Sequence, residues 1–302
     1  MTLRAAVELA APHTWGAAVL PCVLGALLSY AATGTIDVPV ACAVLLCAVL
    51  LQSAVNTLND YVDFVSGNDR ADNCPDPTDA ALIYHDIAPK GALALALVLL
   101  GAAGLAGLFL LLRCGWGLLW FAMAGLMAIL FYTVSPVSAS ALPVGEVLSG
   151  GAMGCALALA SFYAQTGWVD WAAAAQTAPM VLSVGVIMYV NNSSDIEKDR
   201  ATGRRTLPAL LGRARAVGLL KGLLALELLC CAAVGFAWFP GGVWAILPCG
   251  AGLIWNGQKL VHSGLVPAVR VQSMGLAMQN NLWVFLTCAA VAVLHLLCVG
   301  GK

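Results

Sequence analysis

Apolar runs that follow one another along almost the whole chain decide what it can fold into. A helix that crosses a bilayer needs about 20 mostly apolar residues. Nine stretches meet or approach that length: about 12–32, 38–64, 90–112, 116–134, 143–165, 171–194, 214–238, 241–257 and 281–299. Gly34, Pro89, Gly115, Pro136, Gly167 and Gly241 punctuate the joins, as turn chemistry requires. Charged residues make up only 10% of the chain, against about 25% in an average soluble protein. So few charges cannot wrap so apolar a core, which excludes a soluble globular enzyme. A net charge of −1 with no basic tail excludes a nucleic-acid binder. The 31 glycines suit helices that approach one another closely in lipid.

The predicted fold class is therefore an all-α polytopic membrane protein of about nine transmembrane helices forming a single domain. The eleven cysteines add no framework to it. Most sit inside apolar runs, no C-x-x-C pair occurs, and they read as small buried hydrophobes. The N-terminal MTLRAAVELAAPHTW lacks a cleavable signal pattern.

Positive charge orients the helices. With the N-terminus inside, the inner loops collect Arg4, Arg70, Lys90, Lys198, Arg200, Arg204, Arg205, Arg213, Arg215, Lys221, Lys259 and Arg270, while only Arg113 and Lys302 remain outside. This asymmetry predicts a multi-pass protein of the cell membrane with its N-terminus cytoplasmic and its C-terminus outside.

The acids cluster as well. Asp60, Asp63, Asp69, Asp72, Asp76, Asp79 and Asp86 fall between the second and third runs, and Asp195, Glu197 and Asp199 between the sixth and seventh. Residues three or four apart share a helix face, so Asn56, Asp60 and Asp63 project together, as do Asn191, Asp195 and Asp199. Carboxylates at the end of a membrane span are functional candidates by default. A solvated helix end is the plain alternative, and the repetition weakens it. Asn-x-x-x-Asp occurs at 56–60 and again at 191–195, each time at the end of an even-numbered run and hence on one membrane face. Two repeated four-helix halves, about 12–134 and 143–257, plus a last helix at about 281–299, account for this pattern. They are expected to surround a central cavity that opens to the cytoplasmic face.

Four carboxylates facing across a cavity suit a hard cation. Mg²⁺ takes oxygen ligands and is commonly held by one or two carboxylates together with substrate phosphates. Lys198, Arg200, Arg204 and Arg205 stand beside the second cluster. Arginine forks match phosphate oxygens, although each of these residues could equally be an ordinary topogenic charge. A carboxylate–metal–diphosphate site open to lipid implies a lipid-like diphosphate as substrate.

Two segments carry a family resemblance: NTLNDYVDFVSGND (56–69) and NNSSDIEKDRATGRRTL (191–207). PHTW near the start, YTVSP at 132–136, LPVGE at 142–146 and YAQTG at 163–167 are weaker echoes in the same order. Together they resemble the UbiA superfamily of intramembrane prenyltransferases, in particular the 1,4-dihydroxy-2-naphthoate polyprenyltransferases of menaquinone synthesis. The resemblance implies that Asp60, Asp63, Asp195 and Asp199 hold Mg²⁺ on an allylic polyprenyl diphosphate. Asn56, Asn191 and Asn192 orient them and, with Lys198, Arg200, Arg204 and Arg205, form the diphosphate-binding set. The prenyl group then passes to an aromatic acceptor, and with the naphthoate as acceptor the product is a demethylmenaquinone. Asn59, Tyr61, Tyr132, His13 and Lys90 are the candidate lining of the acceptor and cation pocket. Tyr61 and Tyr132 could instead belong to an interfacial aromatic belt. The bilayer is the expected partner, with neither nucleic acid nor an obligatory protein partner.

Two other functions compete. The same chemistry could serve another aromatic acid, haem or a lipid headgroup, or the repeats could form a cation-coupled transporter. Transporter sites lie near the midplane at broken helices, whereas both acid clusters here fall at one face. Glu227 stands in the middle of the seventh run and is expected to be a hydrogen-bonded packing residue. His13, His85, His262 and His295 share no metal-ligand spacing, and Gln165 of the YAQTG segment is expected to serve packing.

Overall fold

The structure is a computed structural model that describes residues 2–67, 81–84, 87–131 and 139–300. Among the described residues all regular structure is helical. In chain order the main helices are α1 (Leu3–Ala10), α2 (Gly16–Thr33), α3 (Val38–Ser66), α4 (Pro89–Cys114), α5 (Leu118–Ile129), α6 (Gly145–Thr166), α7 (Ala178–Ser194), α8 (Ile196–Thr202), α9 (Arg213–Trp238), α10 (Ile246–His262) and α11 (Arg270–Gly300). Six of the described helices, α2, α3, α4, α6, α9 and α11, are long and apolar enough to cross a membrane. The runs expected at 116–134, 171–194 and 241–257 hold shorter ones. α5 has 12 residues. α7 has 17 and begins only after a break at Thr177, where Pro179 takes a first-turn position and needs no hydrogen-bond acceptor. α10 also has 17, because a 3₁₀ turn over Pro240–Ala245 occupies the start of its run.

Three side chains establish which helix ends lie together. Asp37 caps α3 by accepting from the Val40 N–H (3.1 Å). Its own N–H donates to Gln165 Oε1 (2.8 Å), and its carbonyl accepts from Gln165 Nε2 (3.0 Å). Arg113 donates to its carboxylate (3.0 Å). The start of α3 and the ends of α4 and α6 therefore meet at one end of the bundle, and Gln165 does serve packing there. α3 and α7 both run away from that end, so their final turns, with the two acidic motifs, lie at the other.

Close backbone approaches bring α6 against both α2 and α7. α2 crosses α6 so tightly that a Cβ on Gly25 meets the Ala158 carbonyl oxygen at 2.0 Å. Ser161 Oγ donates to the Cys22 carbonyl across the same interface (2.7 Å). Within α6, Gly150–Ala156 forms a π-helical segment. A Cβ on Gly154 there meets the Met180 carbonyl of α7 at 2.6 Å. Small residues do here what they do in lipid generally, letting backbones pack without intervening side chains. Gly25→Ala must push α2 off α6. The expected cost is about 1–3 kcal/mol of overpacking, read as a fall in the thermal midpoint of the detergent-solubilised protein. Gly101→Ala, at a position that meets no atom within 4 Å, is the matched control and leaves the midpoint unchanged or slightly raised by helix propensity.

Candidate active site

The first motif occupies the last turns of α3. Asn56 is anchored by the N-terminal segment, its Nδ2 donating to Thr14 Oγ1 (2.8 Å) and to the Ala10 carbonyl (3.2 Å). Its Oδ1 accepts from Gln52 Nε2 (3.3 Å). Its amide donor is thus spent on the chain entering the fold. Asn59, Asp60 and Asp63 follow, all partly buried. Gly67 ends α3 at φ +74°, a left-handed conformation that favours glycine, and its N–H closes onto the Asp63 and Phe64 carbonyls.

The second motif ends α7 and turns into α8. Asp199 is fully buried, and its Oδ2 accepts from Thr206 Oγ1 (2.7 Å). Arg204 Nε lies 3.6 Å from the other oxygen. Gly203, at φ +78°, lets the chain reverse so that the Arg204 N–H returns to the Asp199 carbonyl (2.8 Å). The sequence D-x-x-x-G-R-R-T is therefore one folded unit organised around its own aspartate. Burial holds the Asp199 carboxyl above the usual carboxylate range, with Thr206 and Arg204 working against that shift.

Asp195 and Asn191 share a partner from far along the chain. Arg270, the first residue of α11, donates through Nε to Asp195 Oδ1 (3.1 Å) and through Nη2 to Asn191 Oδ1 (2.7 Å). Both side chains of this ion pair are about one-fifth exposed. Beside it, Arg213 at the start of α9 donates to the Ser193 carbonyl (2.7 Å), the Leu265 carbonyl and Glu197 Oε2. That guanidinium holds the Glu197 carboxyl below the usual range. α7, α9 and α11 are thereby tied together at the motif end.

The other residues singled out in the sequence fall into two groups. Arg204 and Lys198 stand partly buried beside Asp199, and Arg205 is exposed, its N–H donating to the Ala141 carbonyl (2.8 Å). Arg200 Nε donates to the Ala209 carbonyl (2.9 Å), so part of its fork braces the following turn. Asn192 is buried and donates to Glu146 Oε1 (2.8 Å), which turns it toward the start of α6 while Asn191 engages Arg270. Tyr61 packs against the buried cluster that includes Ala5 and Leu9 of α1. His13 and Lys90 are exposed at the same end. Tyr132 and the loop acids Asp69, Asp72, Asp76, Asp79 and Asp86 lie outside the described residues.

Arg270, Arg213 and Glu146 are contacts that sequence reading does not supply. The two arginines look like ordinary topogenic charges, and Glu146 is marked only by the weak LPVGE echo. Glu227 behaves as a packing residue, fully buried and accepting from Asn280 Nδ2 (2.8 Å). A cavity of about 340 Å³ between Leu28, Phe162, Trp168, Trp238 and His295 belongs to the opposite end of the bundle.

The donor set suits a hard cation. Asp195 and Asn191 already present two oxygens to a positive group, and Asp60 and Asp63 lie at the same end. Among the described residues no three of His, Cys, Asp and Glu come close enough to hold a metal by themselves.

A multi-pass helical membrane protein with paired Asn-x-x-x-Asp motifs at one end is the class that fold and site define. The chain matches the UbiA prenyltransferase family over residues 18–267, and it belongs to that family and to the prenyltransferase class of enzymes. It is similar to the 1,4-dihydroxy-2-naphthoate octaprenyltransferase of Bacillus subtilis, 33% identical over 78% of this chain and 72% of that one. It is also similar to the UbiA prenyltransferase domain-containing protein 1 homolog of Drosophila melanogaster, 27% identical over 67% of this chain and 56% of that one. Among solved structures, a UbiA homolog from Archaeoglobus fulgidus bound to GPP and Mg²⁺ superposes with a TM-score of 0.68 at 18% identity, covering 95% of this chain and 99% of that one. At that identity the likeness is one of fold.

Proposed function

We propose that the protein transfers a polyprenyl group, in a Mg²⁺-dependent reaction, from an allylic polyprenyl diphosphate to 1,4-dihydroxy-2-naphthoate. The observation that carries this reading is the placement of both Asn-x-x-x-Asp motifs at one end of the bundle, the second already engaged with a cation. The Bacillus relative supports the choice of acceptor.

Asp60, Asp63, Asp195 and Asp199 are the residues that hold the ion, with Asn191 beside them. Bound there, Mg²⁺ neutralises the charge that develops on the departing diphosphate. Arg204, Arg205 and Lys198 supply the remaining positive charge toward its oxygens. The allylic C–O bond breaks, the electron-rich ring forms a C–C bond to the allylic carbon, and the ring carboxylate leaves as CO₂. The product is the reduced form of demethylmenaquinone. Asn56 orients the end of α3 through the N-terminal segment. Asn59, Tyr61, Tyr132, His13 and Lys90 form the acceptor side. The nine-span arrangement in two repeated halves, with this end cytoplasmic, is part of the proposal and is supported by the distribution of positive charge.

Purified protein with Mg²⁺, a panel of prenyl diphosphates and a panel of aromatic acids, read by product mass, tests the assignment. A decarboxylated, prenylated naphthalenediol is expected. Prenylation of a different acid in preference would overturn the acceptor while keeping the chemistry.

Donor and acceptor recognition should separate in the same assay. Arg205→Ala is expected to raise KM for the diphosphate about tenfold, the usual worth of one charge-assisted contact, with little change for the acceptor. Lys90→Ala is expected to do the reverse. A Lys90→Ala enzyme that shifts only the diphosphate curve would move this lysine into the phosphate clamp.

A further inference from the structure

The contact that least resembles ordinary membrane topology is Arg270 on the second motif. A topogenic arginine needs only water and phospholipid headgroups. This one reaches from the first turn of α11 to two oxygens of α7, 75 and 79 residues earlier in the chain. The two oxygens also belong to residues that the proposed function places at the cation and the diphosphate. Its fork is divided between them, with Nε on Asp195 Oδ1 at 3.1 Å and Nη2 on Asn191 Oδ1 at 2.7 Å. The side chain is mostly buried, so the pairing is shielded from water and from screening by salt.

We propose that Arg270 is the resident counter-cation of the second motif, and that it exchanges partners when substrate arrives. This rests on the metal–diphosphate reading above. Before substrate binds, Arg270 keeps Asp195 and Asn191 aligned and neutralises the negative charge of Asp195, which a cluster of acids at a membrane surface requires. A divalent ion and a guanidinium cannot both sit against Asp195 Oδ1 without repelling each other. Arg270 therefore gives up Asp195 when an ion takes that oxygen. Its freed donors then face an anion at the same place, and a guanidinium fork suits phosphate oxygens better than any other side chain. Arg270 is thus a positioning residue in the empty site and a diphosphate contact in the filled one.

The exchange predicts effects of opposite sign for metal alone and for diphosphate. The experiment uses the full chain in detergent, with Mn²⁺ as the metal, followed by electron paramagnetic resonance, and inorganic diphosphate as the anion. Arg270→Gln removes the competing charge and keeps side-chain volume and hydrogen-bonding capacity. It should bind Mn²⁺ alone three- to tenfold more tightly than the unchanged protein. With Mn²⁺ saturating, it should bind diphosphate about tenfold more weakly. A purely structural arginine would weaken both together or move neither, and either result overturns the proposal.

A second measurement needs no variant. Phenylglyoxal labelling of Arg270, read by peptide mass, should rise when Mn²⁺ alone is added and fall again when inorganic diphosphate follows. Labelling that ignores Mn²⁺ contradicts the exchange even if Arg270→Gln fails to fold. Failure of the underlying reading looks different. In that case the unchanged protein and Asp195→Asn bind Mn²⁺ and diphosphate equally poorly.

Discussion

Asp60→Asn and Asp195→Asn should each lower turnover by about 10²–10³-fold or more, the range seen when one preorganised electrostatic group is removed from a transition state. Each change takes one negative charge from the proposed cation site and leaves side-chain shape intact. Neither residue belongs to the apolar clusters that hold the helices together. Asp60 is partly buried at the end of α3, and Asp195 accepts from Arg270 at the end of α7. The thermal midpoints should therefore stay close to that of the unchanged protein. The measurement is kcat with Mg²⁺ and saturating prenyl diphosphate, set beside a melting curve for each variant. Near-normal Mg²⁺-dependent turnover in either one would remove that aspartate from the site.

The second large effect concerns stability rather than chemistry. Arg213→Ala should destabilise the protein by about 2–4 kcal/mol, because the Ser193 and Leu265 carbonyls each lose a charged donor at a junction of α7, α9 and the turn before α11. The Glu197 partner adds little to this total, since its side chain is 61% exposed and the pair is screened. Its pH signature is still specific. Arg213 lowers the Glu197 pKa, so this contribution is present above the ordinary glutamate value and disappears as the pH falls through the lowered one. The carbonyl contribution does not titrate. The gap in thermal midpoint between unchanged and variant protein should consequently narrow in acid without closing. A variant as stable as the parent would show that Arg213 serves topology only.

Much of this architecture is legible in the primary structure, because the constraints are local. A bilayer span is a matter of length and hydropathy, and α2, α3, α4, α6 and α9 lie close to where the apolar runs place them, whereas α11 begins at Arg270, well before the run expected at about 281–299. Asn-x-x-x-Asp puts its two oxygens on one helix face whatever the rest of the chain does, so Asn56 with Asp60, and Asn191 with Asp195, can be picked out by spacing. Even the D-x-x-x-G-R-R-T turn is local, closing on Asp199 through Gly203 and Thr206. What escapes sequence reading is the choice of partner across the bundle. Arg270 and Arg213 are indistinguishable in sequence from Arg215 or Lys221, and only the packing of α11 and α9 against α7 singles them out. Asn192 shows the converse. It is adjacent to Asn191 and chemically identical, but one residue is about 100° of helix rotation, and that rotation delivers it to Glu146. The π-helical segment of α6 is equally silent, since its alanines and glycines fit an α-helix as well.

The central claim is that the two motifs form a single cation–diphosphate site. It is tested most directly by an experimental structure with Mn²⁺ and geranyl diphosphate bound, the metal located by its anomalous scattering. One diphosphate is expected at the ends of α3 and α7, with metal held between its oxygens and carboxylates from both motifs, Asp60 or Asp63 on one side and Asp195 or Asp199 on the other. Metal confined to one motif, or a diphosphate bound elsewhere in the bundle, would contradict it.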